Sequence, residues 1–228
     1  MSAAPPYGVF QAVAIRACKI DATGKQVAGS SNGYFTKAIV DASPDLDIQT
    51  GAKDTLIRGD GNVCATSQDP DIILRAKLDL NLCNLDSALI ALLTGATLFS
   101  DAGVPAGFQV LDSGDTAPNG VCLELWAKAW DDDVQATPTV LSSASAYWHY
   151  VYPRYTSQLG KQTVNTKHNA IPVSGTSASN ANITANGPFD DWPVYVANAG
   201  GVVKPFGVFL DTLPSLTEGY QVVTASGS

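Results

Sequence analysis

The sequence predicts a mainly β chain, folded as a sandwich or barrel with one short α-helix flanking it over residues 87–94. Three observations carry that prediction. Residues Asp71 to Cys83 (DIILRAKLDLNLC) alternate polar and apolar over about a dozen positions, the mark of a long strand with one dry and one wet face. Further short alternating or aromatic-rich segments recur, with turn residues between them at intervals near ten residues. Helical spacing of apolar residues occurs in a single short stretch.

The elements follow in order. Val9 to Ile20 reads as a strand that turns at Asp21-Ala22-Thr23-Gly24, where glycine adopts positive φ at no steric cost. Tyr34 to Asp41 (YFTKAIVD) is a second strand. From Ala42 to Gln68 the chain is punctuated by Ser43-Pro44, Thr50-Gly51 and Gly59-Asp60-Gly61-Asn62, and it reads as a long, excursive hairpin. The strand Ile72–Cys83 comes next. Ile72, Leu74, Ala76, Leu78, Leu80 and Leu82 fall on one side; Ile73 is the apolar exception on the other. The helix has Asp86 as its expected N-cap and Gly95 just past its end. Leu85, Leu89 and Leu92/Leu93 form its apolar stripe, so Leu78, Leu80, Leu82, Leu85, Leu89 and Leu92 are the expected helix–sheet core. Two turns of helix are not stable alone in water, so this one must pack.

Beyond it, Ser100–Gly120 reads as a loop and Val121–Trp130 as another alternating strand. Ala146–Tyr152 (AYWHYVY) is a strand expected to end at Pro153. Thr163–Ala185, rich in Ser, Thr, Asn and Ala, offers short strands at best. Val194–Ala197, Val202–Leu210 and Tyr220–Thr224 are the closing strand pieces. With no repeat and no linker, residues 1–228 read as a single domain with N- and C-terminal arms.

Composition narrows the function. The chain has 228 residues, 13 Lys+Arg against 21 Asp+Glu, a net charge of −8 and only 15% charged residues. That balance repels nucleic acid and disfavours an anionic bilayer. The low charge hints that other protein covers part of the surface. No run of 18 apolar residues spans a membrane. The opening MSAAPPYGVF lacks the pattern of an export signal, so synthesis in a cytosol is expected. Cys18, Cys64, Cys83 and Cys122 have no metal-site spacing and read as buried free thiols, with one or two disulfides formed after release as the alternative.

Motifs for chemistry are weak. Asp112-Ser113-Gly114 matches an aspartic-protease triplet, but such an enzyme needs two carboxylates sharing a proton, and one triplet stands here amid turn residues. Asp131-Asp132-Asp133 could hold a hard cation, yet no second oxygen cluster completes a shell. His149, between Trp148 and Tyr150, reads as a packing residue. Neither it nor His168 offers much for catalysis, and no nucleophile elbow, phosphate loop or zinc motif occurs. Asn182-Ile183-Thr184 is a formal glycosylation sequon without an export route. Tyr147, Trp148, Tyr150, Tyr152 and Tyr155 could form a sugar-stacking platform, although strand alternation turns half of them inward. Neither an enzyme nor a cofactor is expected.

Several passages together resemble the major tail protein (tail tube protein) family of long, non-contractile-tailed bacteriophages, in particular those of actinobacterial hosts. They are Arg16–Asp21 followed by Tyr34–Lys37; Gly61–Cys64; Leu78–Gly95; Leu123–Trp126; Tyr147–Arg154; and Gly187–Pro193, spanning residues 10 to 195 or so. The resemblance implies a β-sandwich of the tail tube type with a flanking helix. It implies six copies closing into a ring, rings stacking into a hollow tube in the virion tail, and DNA passing through without specific binding. Tail terminator, tape measure and distal tail proteins are the implied further partners. The excursion 42–68 is then the candidate inter-ring hairpin, with Ser43, Pro44, Asp45, Asp47, Gly51, Arg58 and Asp60 at the ring-stacking contact. Six copies would carry about −48 per ring, a wall that repels a duplex bearing one charge per ~1.7 Å. Asp79, Glu124, Asp131, Asp132 and Asp133 are the candidate lumen-facing acids, chosen because they fall on polar strand faces or ends. The alternatives are another tail component (a terminator or distal tail protein) and, from a different class, an extracellular carbohydrate-binding β-sandwich.

Overall fold

The computed structural model describes residues 7–112, 118–131, 147–166 and 169–224. Among them the strands are β1 (Tyr7–Lys19), β2 (Gly29–Thr36), β3 (Ile39–Gln49), β4 (Lys53–Ile57), β5 (Val63–Gln68) and β6 (Ile72–Leu82). After helix α1 (Ser87–Thr94) come β7 (Thr97–Asp101), β8 (Val104–Gln109), β9 (Val121–Asp131), β10 (Tyr147–Leu159) and β11 (Ile171–Ser177). Helix α2 (Val194–Asn198), β12 (Gly207–Asp211) and β13 (Gly219–Val223) complete the chain. Nine strands form one antiparallel sheet in the order β13-β2-β1-β9-β10-β11-β6-β3, with β12 beside β10; β4–β5 and β7–β8 are separate hairpins.

The sheet rolls over on itself, and β10 is where it turns. One edge of β10 runs along β9. Its other edge is shared: Tyr147–Val151 pair with β12, and Tyr155–Leu159 pair with β11. The register slips between Tyr152 and Tyr155, around Pro153. Pro153 therefore does not end the strand, as the sequence suggested; it sits at a bulge, where a missing N–H leaves no gap in the ladder and the strand bends.

Between the two halves of the rolled sheet lies the main core. Ile15, Ala17, Leu123 and Leu125 meet Ala76, Leu78, Leu80, Leu82 and Val173 there, with Tyr152 and Tyr155 between. Helix α1 closes one end of it through Ala88, Leu89, Ile90 and Leu93. Its limits are those expected: the Asp86 carboxylate accepts from the Ala88 and Leu89 amides, and Gly95 takes φ 73°. Leu92 is only half-buried, and Leu85, before the helix begins, is 51% exposed and outside the core. The stripe turns by one position, so Leu93 and Ile90 do the packing expected of Leu85.

Other expectations change. Val194–Ala197 is helix, not strand, because Pro193 supplies a helix-compatible entry and no neighbour offers a ladder. Ser100–Gly120 contains most of the β7–β8 hairpin. Thr163–Ala185 contributes β11, a full member of the large sheet, and its Asn180 ties the turn at Gly24 to Pro153 by donating to both carbonyls at 2.8 and 3.0 Å. The strand read at Tyr34–Asp41 is two strands, β2 and β3, broken at Lys37-Ala38.

The outer face of β1 and β9 is covered too. Cys18, Cys122 and Val151 pack under Trp192, Val196, Phe209 and Val223. This second layer explains why β9, read as two-faced, is buried on both sides.

Candidate functional site: a protruding arm and a buried ion cluster

Two features stand out. The first is the arm. Strands β3 and β6 pair from Ile39↔Leu82 to Gln49↔Ile72, with slips at Ile39/Asp41 and Asp47/Ile48. At about 3.3 Å per residue the 11 residues of β6 span about 36 Å. Its base is core. Leu82, Leu80, Leu78 and Ala76 are buried, whereas Leu74 and Ile72, next along the same dry face, are 45% and 58% exposed. Leu46 and Ile48 on β3 are exposed beside them, and at the tip so are Leu56, Ile57 and Val63 of β4 and β5.

The arm is nevertheless ordered by its own backbone. Gly51 lies where β3 gives way to β4; a Cβ there would stand 1.8 Å from the Asp69 carbonyl oxygen, so only glycine fits. Its amide donates to the Asp71 carboxylate at 2.9 Å. At the tip the Asn62 amide donates to Asp60, and Arg58 and Asn62 close the turn through their backbones. An isolated two-stranded ribbon is marginal in water, and contiguous exposed apolar side chains are unusual on a surface that meets only solvent.

Of the expected ring-stacking residues, Gly51, Arg58 and Asp60 belong to the protruding part. Ser43, Pro44, Asp45 and Asp47 belong to β3 within the large sheet, so the excursion begins later than read. The wet face of β3–β6 places Asp41 beside Asn81, Ser43 beside Asp79, Asp45 beside Lys77 and Asp47 beside Arg75. Four acids face two bases across this ladder. The Lys77–Asp47 pair, 3.6 Å apart and exposed, adds little stability. Asp79 is thus exposed on an acidic face that includes Asp41, Asp45 and Asp47, which were not singled out as lumen-facing. The signal was present in the alternation of Ile39–Gln49, but Pro44 masked it.

Glu124 is the clear correction. It is not on a wet face; it is fully buried and belongs to the second feature, an ion cluster under the outer layer. Arg16 and Glu124 are register partners on β1 and β9. The Arg16 guanidinium, 2% exposed, donates to Glu124 from Nε at 2.5 Å and from Nη2 at 3.1 Å. It also donates to both Asp191 oxygens, at 2.6 and 2.8 Å. Its plane lies between Trp126 and Phe189, 5.1 and 3.9 Å from the ring centroids. Trp192 Nε1 donates to Glu124 Oε1 at 2.6 Å. Gly187, φ 82°, lets the chain pass over the Trp192 indole, since a Cβ there would stand 2.4 Å from that ring.

His149 completes the cluster. Its ring stacks on Trp126 at 4.2 Å and meets Phe209 edge-on at 4.6 Å. Nδ1 is 3.0 Å from Asp211 Oδ2, and Nε2 is 3.4 Å from Glu124 Oε1. Burial would raise the Glu124 pKa, but Arg16 and then His149 outweigh it and hold the group well below the ordinary carboxylate value. Burial would likewise lower His149, and Asp211 and Glu124 reverse that, so its pKa is raised. These ion pairs and ring contacts tie the segment around Asp191 and Trp192 and strand β12 to the outer face of β1, β9 and β10.

The remaining candidates disperse. Of Asp131 only the backbone position is described, opposite Tyr7 at the end of β9. Asp132, Asp133 and His168 lie outside the described residues, as do Ser113 and Gly114 of the protease-like triplet. Among the described residues no group of three or more ligating side chains could hold a metal, and no helix is long and apolar enough to cross a membrane. Of the aromatic run, Tyr152 and Tyr155 are fully buried and so are withdrawn from any sugar-stacking platform, with Tyr155 donating its hydroxyl to the Leu78 carbonyl at 2.9 Å, while Tyr147, Trp148 and Tyr150 are half-buried. Cys18 and Cys122 are buried cross-strand partners, as thiols. Cys64 and Cys83, expected inside, are exposed because β5 and the end of β6 have no covering layer. No known protein family model matches the chain, and no curated protein matches it in sequence.

Proposed function

We propose that this chain is a structural subunit that assembles with copies of itself: a tail tube protein of a long, non-contractile bacteriophage tail. Subunits close into rings, hexameric by the resemblance, and rings stack into a tube in the virion that conducts DNA into the host. The observation that carries this reading is the dry face of β6, which continues past its own core onto an ordered, exposed arm. A sheet with open edges at β3 and β13 adds to it, since unpaired edges are a liability that a ring removes by pairing them with the next copy. The acidic ladder of Asp41, Asp45, Asp47 and Asp79 suits a wall past which a polyanion must slide, because bound phosphate would stall it. In this reading the terminator, tape measure and distal tail proteins meet the tube at its ends and in its bore, and none requires a catalytic group or cofactor here.

Negative-stain microscopy of the concentrated protein tests it. Rings or tubes with a central hole are expected. A particle that stays monomeric at high concentration, or a virion in which this chain is scarce, overturns the reading.

A further inference from the structure

We propose that the arm tip of one copy seats in an apolar cleft at the base of the arm of a second copy, so that copies join one way, tip to base. This rests on the self-assembly proposed above and adds the acceptor surface, its residues and the direction of joining. The cleft lies between the dry face of β3, whose far edge is unpaired, and the inner faces of β9 and β10. It consists of two hollows, about 200 and 280 Å³, that share Pro44. Pro44, Leu46, Tyr152 and Phe206 line the first, and the second carries the apolar lining on past Val40 and Tyr150.

One polar group in this lining is orphaned. Tyr152 is fully buried, and its hydroxyl has no hydrogen-bond partner among the described residues. Leaving such a group unpaired costs free energy that an occupant bringing a polar partner removes. The arm tip has the matching shape and chemistry. Ile57 and Val63 are cross-strand partners there, so their side chains share a face, and both are 61% exposed. The tip is therefore not seated in the cleft of its own chain. Apolar side chains that enter a preformed hollow anchor an interface. Charge agrees with the fit. Asp41 and Asp45 flank the cleft, exposed, and neither makes an ion pair among the described residues. Arg58 follows Ile57 at the tip and is likewise without an ion pair among those residues; Asp60, the acid of the same turn, is occupied by the Asn62 amide. Tip and cleft are different surfaces, so the contact is head-to-tail. It closes as a ring or runs on as a stack, as the rotation between copies dictates, and does not stop at a dimer.

Two variants and their mixture test it. Ile57→Asp spoils the tip and keeps the cleft; Leu46→Arg blocks the cleft and keeps the tip. Each alone should fold and lose ring and tube formation. Mixed in equal amounts they retain one working tip and one working cleft, and native mass spectrometry should show a one-to-one complex that grows no further. Two folded variants that give no complex when mixed overturn the inference. A cross-link locates the site without a cleft variant and so decides even where Leu46→Arg does not fold. Cys64, exposed beside Val63 at the tip, takes a benzophenone maleimide in a Cys83→Ser chain. With half of the chains isotopically heavy, illumination of the assembly should join Cys64 of one chain to β3 or β10 of a differently labelled one. Cross-links from formed tubes that land elsewhere overturn the docking site and leave self-assembly standing. Chains that never associate overturn both.

Discussion

The two halves of β6 obey one alternating pattern and meet opposite fates. Ala76 to Leu82 bury their dry face against β1, β9 and α1; Ile72 and Leu74 carry the same pattern into solvent on the arm. Alternation therefore records that a face will be covered, but not by whom. In the base the cover is this chain. On the arm, by the reading given above, it is another copy.

Breaking the comparison at its base should have the largest effect. Leu80→Asp buries a charge with no partner, a cost of more than about 4 kcal/mol or a forced neutralisation, and should abolish the cooperative urea transition. Leu74→Asp, two residues beyond Ala76 toward the tip, should shift that transition by no more than about 0.5 kcal/mol while blocking ring or tube formation. If Leu74→Asp unfolds the subunit, the arm's dry face is core after all.

The ion cluster ranks next. Arg16→Met leaves Glu124 buried and unpaired and should cost about 3–5 kcal/mol in urea, whereas Arg16→Met with Glu124→Leu should recover most of it. Recovery distinguishes a pair kept for specificity from one that is indispensable to the fold.

A smaller effect follows from pH. His149 has a raised folded-state pKa, so its contribution is complete below the ordinary value of 6.5 and is lost as pH rises through the higher folded value. Glu124 has a lowered one, so its contribution is complete above the ordinary 4.5 and is lost as pH falls through the lower value. Stability from this cluster should peak between about pH 4.5 and 6.5 and decline on both sides; an unfolding midpoint that climbs steadily from pH 6 to 9 contradicts it.

The smallest stability change belongs to the tip. Replacing Gly51–Pro70 with an Asn-Gly turn joins Thr50 to Asp71 in a tight hairpin. Melting should move by only a few degrees, while elongation into tubes fails. Cutting Ser43–Asp60 instead would remove most of β3 and half of a sheet ladder, so it tests folding rather than stacking.

Legibility in the sequence followed how local the signal was. Helix α1 was readable to the residue because Asp86 and Gly95 act on their own backbone neighbours. The extent of β10 is not legible in the sequence because Pro153 has the look of a strand end, and it is the change of partner from β12 to β11 that lets the strand run on. β11 was hidden in a Ser/Thr-rich stretch because its support comes from β6 and β10, distant in sequence. Glu124 is hidden for the same reason: its polar position on an alternating strand has the pattern of a solvated one, and only Trp192 and Phe209, from the far end of the chain, close over it.

By itself the sequence determined the strand periods, the helix and its caps, the turn at Gly24 and the acidity of the chain, since each rests on short-range sterics or on summed charge. Tertiary structure alone decided that the sheet rolls at β10, that a second layer covers β1 and β9, and that Arg16, Glu124, His149, Asp191 and Asp211 converge. Such convergence requires residues as many as 195 positions apart (Arg16 to Asp211) to meet, and periodicity carries no information about partners at that range.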